Sequence, residues 1–113
     1  VLPRLIPLNM AMYMLFTGKS LTAAEMKACG LVCEVHPDAE FAEATLKLAR
    51  QIAKKSPIAL RRMKEVARTT ADKSRDDALQ HEQVALRRHM RSFDFQEGLQ
   101  AFAEKRAPQF QGR

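Results

Sequence analysis

Signals that start and stop helices recur along the whole chain and leave little of it for other secondary structure. Thr22 lies three residues before Glu25 as a capping box, and Ser56 precedes Pro57, a residue well tolerated at the first helical position. Gly18 suits the left-handed conformation that closes a helix. The pattern predicts helices over about 8–16, 23–28, 40–54, 57–70 and 76–91, and a last one from 94 that ends before 108.

One segment favours extended structure instead. The run 31–35, rich in β-branched residues, lies between Gly30 and the turn residues His36 and Pro37. It predicts one short extended segment near 32–35. The fold class predicted from the residues is therefore mainly α.

The first predicted helix, residues 8–16, is apolar on almost every side. Such a helix needs cover around most of its circumference. The later helices are amphipathic, as shown by Phe41, Leu48 and Ile52 on one stripe. They therefore have little apolar surface left to cover the first helix. The start at Val1 resembles neither a signal peptide nor a natural translation start. We therefore expect further chain, or another subunit, to pack against the first helix.

The composition excludes several classes of protein. A content of 46% apolar and 28% charged residues is that of an ordinary globular domain, and 113 residues are enough for one. The longest nearly apolar stretch, residues 5–16, is shorter than the roughly 20 residues that span a membrane. Two cysteines are too few for a disulfide framework. We expect a cytoplasmic protein, or a mitochondrial matrix protein in a eukaryote.

Cys29, Cys33 and His36 offer three soft metal ligands within eight residues. A structural zinc site uses four ligands, and the two other histidines lie far along the chain. Free cysteines usually behave as small buried apolar residues. We therefore predict no metal site and expect the thiols to be buried.

No group of residues predicts a catalytic site. Residues 18–20, Gly-Lys-Ser, resemble the end of a phosphate-binding loop, but Tyr13 stands where that motif needs a glycine. His81 and Glu82 are neighbours, so they point to different faces of a helix. Four acids lie where they can cap helix N-termini: Glu25, Asp38, Asp94 and Glu97. We therefore predict no catalytic residue in this chain.

Basic residues give the chain a net charge of +6 and form two clusters. The clusters are Lys54, Lys55, Arg61, Arg62, Lys64 and Arg68, and then Arg87, Arg88 and Arg91. Because of these clusters, one alternative function is that of a basic helical module that binds nucleic acid or an acidic protein. Aromatic residues that stack on bases are missing, however, and Glu65 and Glu82 interrupt the clusters. Solvated helix faces are the simpler interpretation.

Four segments, in this order and at this spacing, resemble the C-terminal part of the enoyl-CoA hydratase/isomerase (crotonase) superfamily. They are LFTGKSLTAAE at 15–25, GLVCEVHP at 30–37, SPIALRRMK at 56–64 and SFDFQEGLQAFAEKRAP at 92–108. No single segment is decisive, but together they carry the resemblance over essentially the whole chain.

The resemblance implies a helical C-terminal domain that caps the active site and forms the trimer. Residues 1–36 would be the end of a spiral core and its connection, and residues 37–113 the capping and oligomerisation helices. In the family, an N-terminal spiral of ββα turns supplies the N–H groups that polarise the thioester. In hydratases it also supplies two glutamates that activate water. These elements lie upstream of Val1, so the resemblance implies that this chain alone does not catalyse.

The activity implied for the parent protein is that of an enoyl-CoA hydratase in fatty-acid degradation. This enzyme adds water in syn fashion to a trans-2-enoyl-CoA. Enoyl-CoA isomerase or another acyl-CoA reaction is the alternative within the family. Acyl-CoA is then the substrate, no separate cofactor is expected, and the family resemblance implies a homotrimer or hexamer.

Two residues of the last helix are implied to contact the CoA of a neighbouring subunit. Carried over from the A-F-x-E-K-R motif of the family, they are Phe102 and Lys105. A ring offers a stacking face and an ammonium group offers charge to a phosphorylated adenosine. Phe102 also continues the apolar stripe of Phe95 and Leu99, so core packing is its alternative role. Stabilisation of the helix C-terminus is the alternative for Lys105.

Overall fold

The computed structural model describes all residues, 1–113, and contains helices and no strand. After a 3-10 turn at Leu2–Arg4 come α1 Leu8–Thr17, α2 Ala23–Ala28, α3 Asp38–Ala53, α4 Pro57–Thr70, α5 Arg75–Met90 and α6 Phe93–Ala103. The prediction of a mainly α fold is confirmed. None of these helices combines the length and the apolar character needed to cross a membrane.

Several helix ends follow the local signals. The Glu25 N–H donates to Thr22 Oγ1 at 3.2 Å and the Thr22 N–H donates to Glu25 Oε2 at 2.8 Å, which completes the predicted capping box. At the start of α4, the Ala59 N–H donates to Ser56 Oγ at 3.1 Å. Gly18 ends α1 with a φ of 65°. These ends are fixed by residues close in sequence, which is why the sequence predicts them.

Residues 31–35 form no strand, although their β-branched side chains favoured extended structure. A strand needs a second strand to bond its backbone groups, and the chain has no other extended segment to serve as that partner. The Leu31 N–H instead donates to Met26 O at 2.9 Å. The segment is therefore an irregular connection between α2 and α3.

The first of two compact units, Val1–Lys47, buries few side chains. Its 3-10 turn packs against α1, and the buried apolar residues are Ile6, Ala11 and Leu21. Most of α1 stays open, with Phe16 as much as 78% exposed. Within this chain α1 thus presents the uncovered apolar surface that its sequence implied.

The second unit, Leu48–Arg113, has a largely polar interior. In it α5 packs against both α4 and α6. Ala101 is its buried apolar residue, whereas Ser56, Ser92 and Asp94 are buried polar ones. Buried polar groups are tolerated only when they are hydrogen-bonded, so the partners of these side chains decide how the unit is held together.

Asp94 is fully buried, with 1% of its surface exposed, and joins three parts of the second unit. Its Oδ2 accepts a hydrogen bond from Ser56 Oγ at 2.6 Å, at the start of α4. Its Oδ1 accepts from the N–H groups of Gln111 at 2.7 Å and Gly112 at 3.0 Å. Its own N–H donates to Arg113 O at 3.1 Å. The end of the chain is thereby fixed to the starts of α4 and α6.

The interpretation of Asp94 as the cap of the last helix is wrong, because Ser92 holds that position. The Phe95 N–H donates to Ser92 Oγ at 3.3 Å, and α6 begins at Phe93. Asp94 lies in the first turn of α6, where a negative charge interacts favourably with the helix dipole. Its side-chain oxygens serve distant residues rather than the helix end.

The residues after α6 turn back along this helix. We call residues 107–113 the C-terminal segment. The Gln109 N–H donates to Glu97 Oε1 at 2.7 Å. Further along the segment, the Gly112 N–H donates to Asp94, which lies one turn earlier in the helix than Glu97. The segment therefore runs antiparallel to α6 and is held by two carboxylates of one helix.

Opposing effects act on the pKa of the Asp94 carboxyl. Burial is the largest of them and acts to raise the pKa, because an ionised group in the interior loses its water. The hydrogen bonds from Ser56, Gln111 and Gly112, with a smaller contribution from His89, outweigh burial and hold the pKa below its ordinary value. Asp94 is therefore ionised at neutral pH and acts purely as an acceptor.

Asp94→Asn should destabilise the protein by about 1–3 kcal/mol, because an amide group leaves a buried donor unpaired or facing another donor. Asp76→Asn is the matched control, since Asp76 is an exposed acid in the first turn of α5. It should change stability by no more than about 0.5 kcal/mol. Urea unfolding followed by circular dichroism measures both, and equally small losses would contradict the role assigned to Asp94.

The stability that Asp94 contributes should also depend on pH. Its pKa is lower in the folded state, so its contribution is fully present above the ordinary value of 3.8 and is lost as the pH falls through the folded-state value. The difference in unfolding free energy between wild type and Asp94→Asn should therefore shrink between about pH 5 and pH 2. Urea unfolding across this range tests it, and a difference that stays constant into acid is the contrary result.

Candidate functional site

The two residues expected to contact a ligand lie at the end of α6. Phe102 is in the last turn of the helix and is 86% exposed. Phe102 therefore packs into no core formed by residues 1–113. Lys105 is also exposed and follows the last helical residue by two positions. The structure thus places an uncovered ring and an exposed ammonium group at one helix end.

Lys105 occupies the position after a helix where glycine is usual. The Arg106 N–H donates to Ala101 O at 3.0 Å and the Lys105 N–H donates to Phe102 O at 3.2 Å, the two bonds of a Schellman motif. This motif requires the left-handed conformation at Lys105, whose φ is 53°. All other residues with positive φ in the chain are glycines.

A side chain at this position makes the turn less stable than glycine would. The left-handed conformation costs a residue with a Cβ roughly 1–2 kcal/mol. The Lys105 side chain makes no hydrogen bond or ion pair within the chain that could offset this cost. Strained positions of this kind are concentrated at functional sites. The side chain of Lys105 therefore forms no bond that stabilises the helix end, and its role in ligand binding stays a prediction.

Arg106, the next residue, is fully engaged by two carboxylates. Its Nη1 and Nη2 donate to Glu97 Oε1 and Oε2 at 2.5 and 3.0 Å, and its Nε donates to Glu104 Oε2 at 2.5 Å. Gln100 Nε2 donates to the other oxygen of Glu104 at 2.8 Å. Arg106 therefore holds the turn together, while Lys105 is left as the cation that can meet a ligand.

The pKa values agree with this arrangement. The hydrogen bond from Arg106, followed by that from the Gln109 N–H, lowers the pKa of Glu97 to about 2. The bonds from Gln100 and then Arg106 lower the pKa of Glu104, and those to Glu97 and Glu104 raise the pKa of Arg106. All three groups are charged throughout the physiological range.

The interpretation of Glu97 as a helix-capping residue is also wrong. The backbone N–H of Asp94, to which a capping glutamate would bond, donates to Arg113 instead. Asp94 and Glu97 are both important carboxylates, but their partners lie as far as 38 residues away in the sequence. No local signal identifies such partners.

Cys29, Cys33 and His36 do not converge. Cys29 is half-buried and its Sγ donates to Met26 O at 3.3 Å, whereas Cys33 is exposed, so the expectation of a buried thiol is wrong for Cys33. His36 Nε2 lies 3.1 Å from Glu34 Oε2. No group of three histidine, cysteine or acidic side chains in the chain could hold a metal ion.

His89 and Arg62 form a pair that no sequence motif marked. They lie at one end of a largely apolar groove of about 390 Å³ between α4 and α5. Arg62 Nη1 donates to His89 Nδ1 at 3.2 Å, since a guanidinium group can only donate. Burial, and then the charge of Arg62, lower the pKa of His89. The pair ties α4 to α5 and offers no free base.

The basic clusters are partly used inside the chain. Arg61 Nη2 donates to Gly112 O at 3.0 Å and Arg87 Nη2 donates to Gln83 Oε1 at 3.3 Å, in addition to the bond from Arg62 to His89. Internal bonds of this kind reduce the set of cations that a nucleic acid could meet. No observation favours the alternative function of a nucleic-acid module.

Comparisons with known proteins identify the family of the chain. The profile of the enoyl-CoA hydratase/isomerase family matches residues 1–113. Among curated relatives, the carnitinyl-CoA dehydratase of Salmonella typhi is 34% identical over 99% of this chain and 44% of its own length. The enoyl-CoA hydratase EchA19 of Mycobacterium tuberculosis is 38% identical over 99% of this chain and 42% of its own length.

Solved structures give the same result. The enoyl-CoA hydratase of Bacillus anthracis matches 99% of this chain and 43% of its own, with 38% identity and a TM-score of 0.94. The human enoyl-CoA hydratase domain-containing protein 3 matches 96% of this chain and 43% of its own, with 34% identity and a TM-score of 0.91. The chain spans less than half the length of these relatives and matches their C-terminal part. It belongs to the enoyl-CoA hydratase/isomerase family.

Proposed function

We propose that this chain is the C-terminal part of an enoyl-CoA hydratase, which adds water to the double bond of a trans-2-enoyl-CoA. Family membership over all 113 residues supports the proposal, as do relatives whose names are those of hydratases. Acyl-CoA is the substrate, and no separate cofactor takes part. The catalytic groups are assigned to a region that corresponds to the part of these relatives that the chain does not match.

The chemistry of hydration requires groups that this chain does not offer. Proton transfer needs carboxylates that can exchange protons with the substrate, and thioester activation needs preorganised N–H donors. The fully buried carboxylate here is Asp94, and its oxygens are occupied by Ser56, Gln111 and Gly112. The proposed role of the chain is therefore to cap the active site and to bind the coenzyme.

The observation that carries the coenzyme contact is the strained, unpartnered Lys105 beside an exposed aromatic ring. An ammonium group binds phosphate by charge-assisted hydrogen bonds, and a ring stacks on a purine. Phe102 and Lys105, three positions apart at one helix end, offer these two groups. We assign Lys105 to a phosphate of CoA and Phe102 to its adenine, in a neighbouring subunit.

The exposed apolar surface supports a role in assembly. Leu8, Phe16 and Phe41 are each more than half exposed, and α3 buries none of its residues. Surfaces of this kind usually lie against other chain segments or subunits. We assign the helices of residues 37–113 to capping and oligomerisation in a homotrimer or hexamer, and residues 1–36 to the end of the core domain.

At its full natural length the protein should hydrate crotonyl-CoA, and residues 1–113 alone should not. Loss of the absorbance of the conjugated thioester, with chromatographic identification of the 3-hydroxyacyl product, measures the reaction. A chimera in which this chain replaces the matched part of the Bacillus anthracis enzyme should be active as well. Hydration by residues 1–113 alone would overturn the division of roles, and migration of the double bond without hydration would indicate an isomerase.

Lys105→Gly should change stability and binding in opposite directions. Glycine removes the left-handed strain and should stabilise the protein by about 0.5–1 kcal/mol. In the full-length protein, loss of the ammonium group should raise the KM for crotonyl-CoA on the order of 10-fold. Ala103→Gly, within α6, is the control and should lower stability by about 0.5–1 kcal/mol without changing KM. Thermal unfolding and steady-state kinetics measure the two effects, and an unchanged KM in Lys105→Gly would exclude the contact.

A further inference from the structure

The geometry points to Glu97 as a positioning residue that holds Lys105 in the conformation in which it meets the coenzyme. This inference rests on the proposed contact between Lys105 and CoA. Glu97 touches no ligand itself and acts through Arg106. Three observations carry the inference: the bonds of Glu97, the strained backbone at Lys105 and the distribution of charge around the turn.

The Glu97 carboxylate collects donors only from residues beyond the end of α6. Its side chain is 10% exposed. The two Nη groups of Arg106 approach its two oxygens side by side, and the Gln109 N–H adds a third bond at 2.7 Å. Paired bonds between a guanidinium and a carboxylate group fix direction as well as distance. Glu97 therefore fixes the path of the backbone immediately after Lys105.

The route from Lys105 to Glu97 requires the strained backbone. Arg106 follows Lys105 directly, yet its guanidinium reaches a residue nine positions earlier. The chain must reverse at Lys105 for this to happen, and the left-handed conformation at φ 53° produces the reversal. Left alone, a lysine leaves this conformation readily, because its Cβ clashes there. The bonds of Glu97 offset that tendency, so the side chain of Lys105 always starts from the same backbone position and in the same direction.

Charge separates the tasks of the two adjacent cations. Glu97 and Glu104 both bind Arg106, so its guanidinium is committed to the turn. Lys105 has no acidic partner and stays available for phosphate. Without Glu97, the guanidinium of Arg106 would keep only its bonds to Glu104, through Nε, and to Ala107 O, and Nη2 would be free to compete with Lys105 for the same phosphate. Glu97 thereby determines which cation meets the coenzyme.

The test compares two substrates of the full-length protein, crotonyl-CoA and crotonyl-pantetheine, which lacks the 3′-phosphoadenosine diphosphate part. Glu97→Gln should raise the KM for crotonyl-CoA on the order of 5- to 10-fold and leave kcat and the KM for crotonyl-pantetheine within about twofold. Glu104→Gln is the matched control, since it removes one bond to Arg106 and leaves the paired ones. It should change either KM less than about twofold.

A double-mutant cycle separates positioning from general stabilisation. In a Lys105→Ala background, Glu97→Gln should cause no further rise in the KM for crotonyl-CoA, because there is no lysine to position. Its effect on the thermal unfolding temperature should be the same in both backgrounds. Should Glu97→Gln fail to fold, Arg106→Lys, which keeps the charge but loses the paired bonds, should give the same selective rise in KM.

Each contrary result has a distinct meaning. Equal weakening of both substrates by Glu97→Gln, or effects of Glu97→Gln and Lys105→Ala that multiply, would show that Glu97 is structural and would overturn the inference alone. An unchanged KM for crotonyl-CoA in Lys105→Ala would overturn the coenzyme contact in the proposed function, and the inference with it.

Discussion

The buried carboxylate of Asp94 is the interaction on which the second unit depends. An ionised group without water is costly, so its presence in an interior requires that donors surround it. Ser56 at the start of α4 and the N–H groups of Gln111 and Gly112 meet that requirement. Because these donors come from separate parts of the sequence, satisfying one charge fixes the start of α4, the start of α6 and the chain terminus at the same time.

The helix α6 carries a second carboxylate, that of Glu97, which binds the opposite end of the C-terminal segment. Asp94 and Glu97 are three residues apart, so they project from adjacent positions on one side of α6. Asp94 holds the end of the C-terminal segment, and Glu97 holds its beginning through Arg106 and Gln109. The turn at Lys105 thus lies between a regular helix and an anchored segment. A strained residue can persist there because the structure on both sides determines its conformation.

The apolar surface of the chain has a different character from this polar interior. Only a few apolar side chains are buried, and the apolar residues of α1 and α3 are largely exposed. A chain that matches less than half the length of its relatives would be expected to leave such surfaces open. The polar network around α6 is complete within the chain, whereas the apolar faces lack partners. The turn at the end of α6 is therefore fixed by residues of this chain, whereas the apolar faces of α1 and α3 have no cover within it.

The sequence by itself determined the helices, their caps at Thr22 and Ser56, and the family, because each depends on residues close together or on ordered segments. It also marked Phe102 and Lys105 through the family motif. Only the tertiary structure decided that 31–35 forms no strand and that Asp94 and Glu97 are anchors rather than caps. It alone showed that Lys105 is strained. Each of these outcomes depends on contacts with residues distant along the chain, or on the lack of a partner, and local preferences contain no information about either.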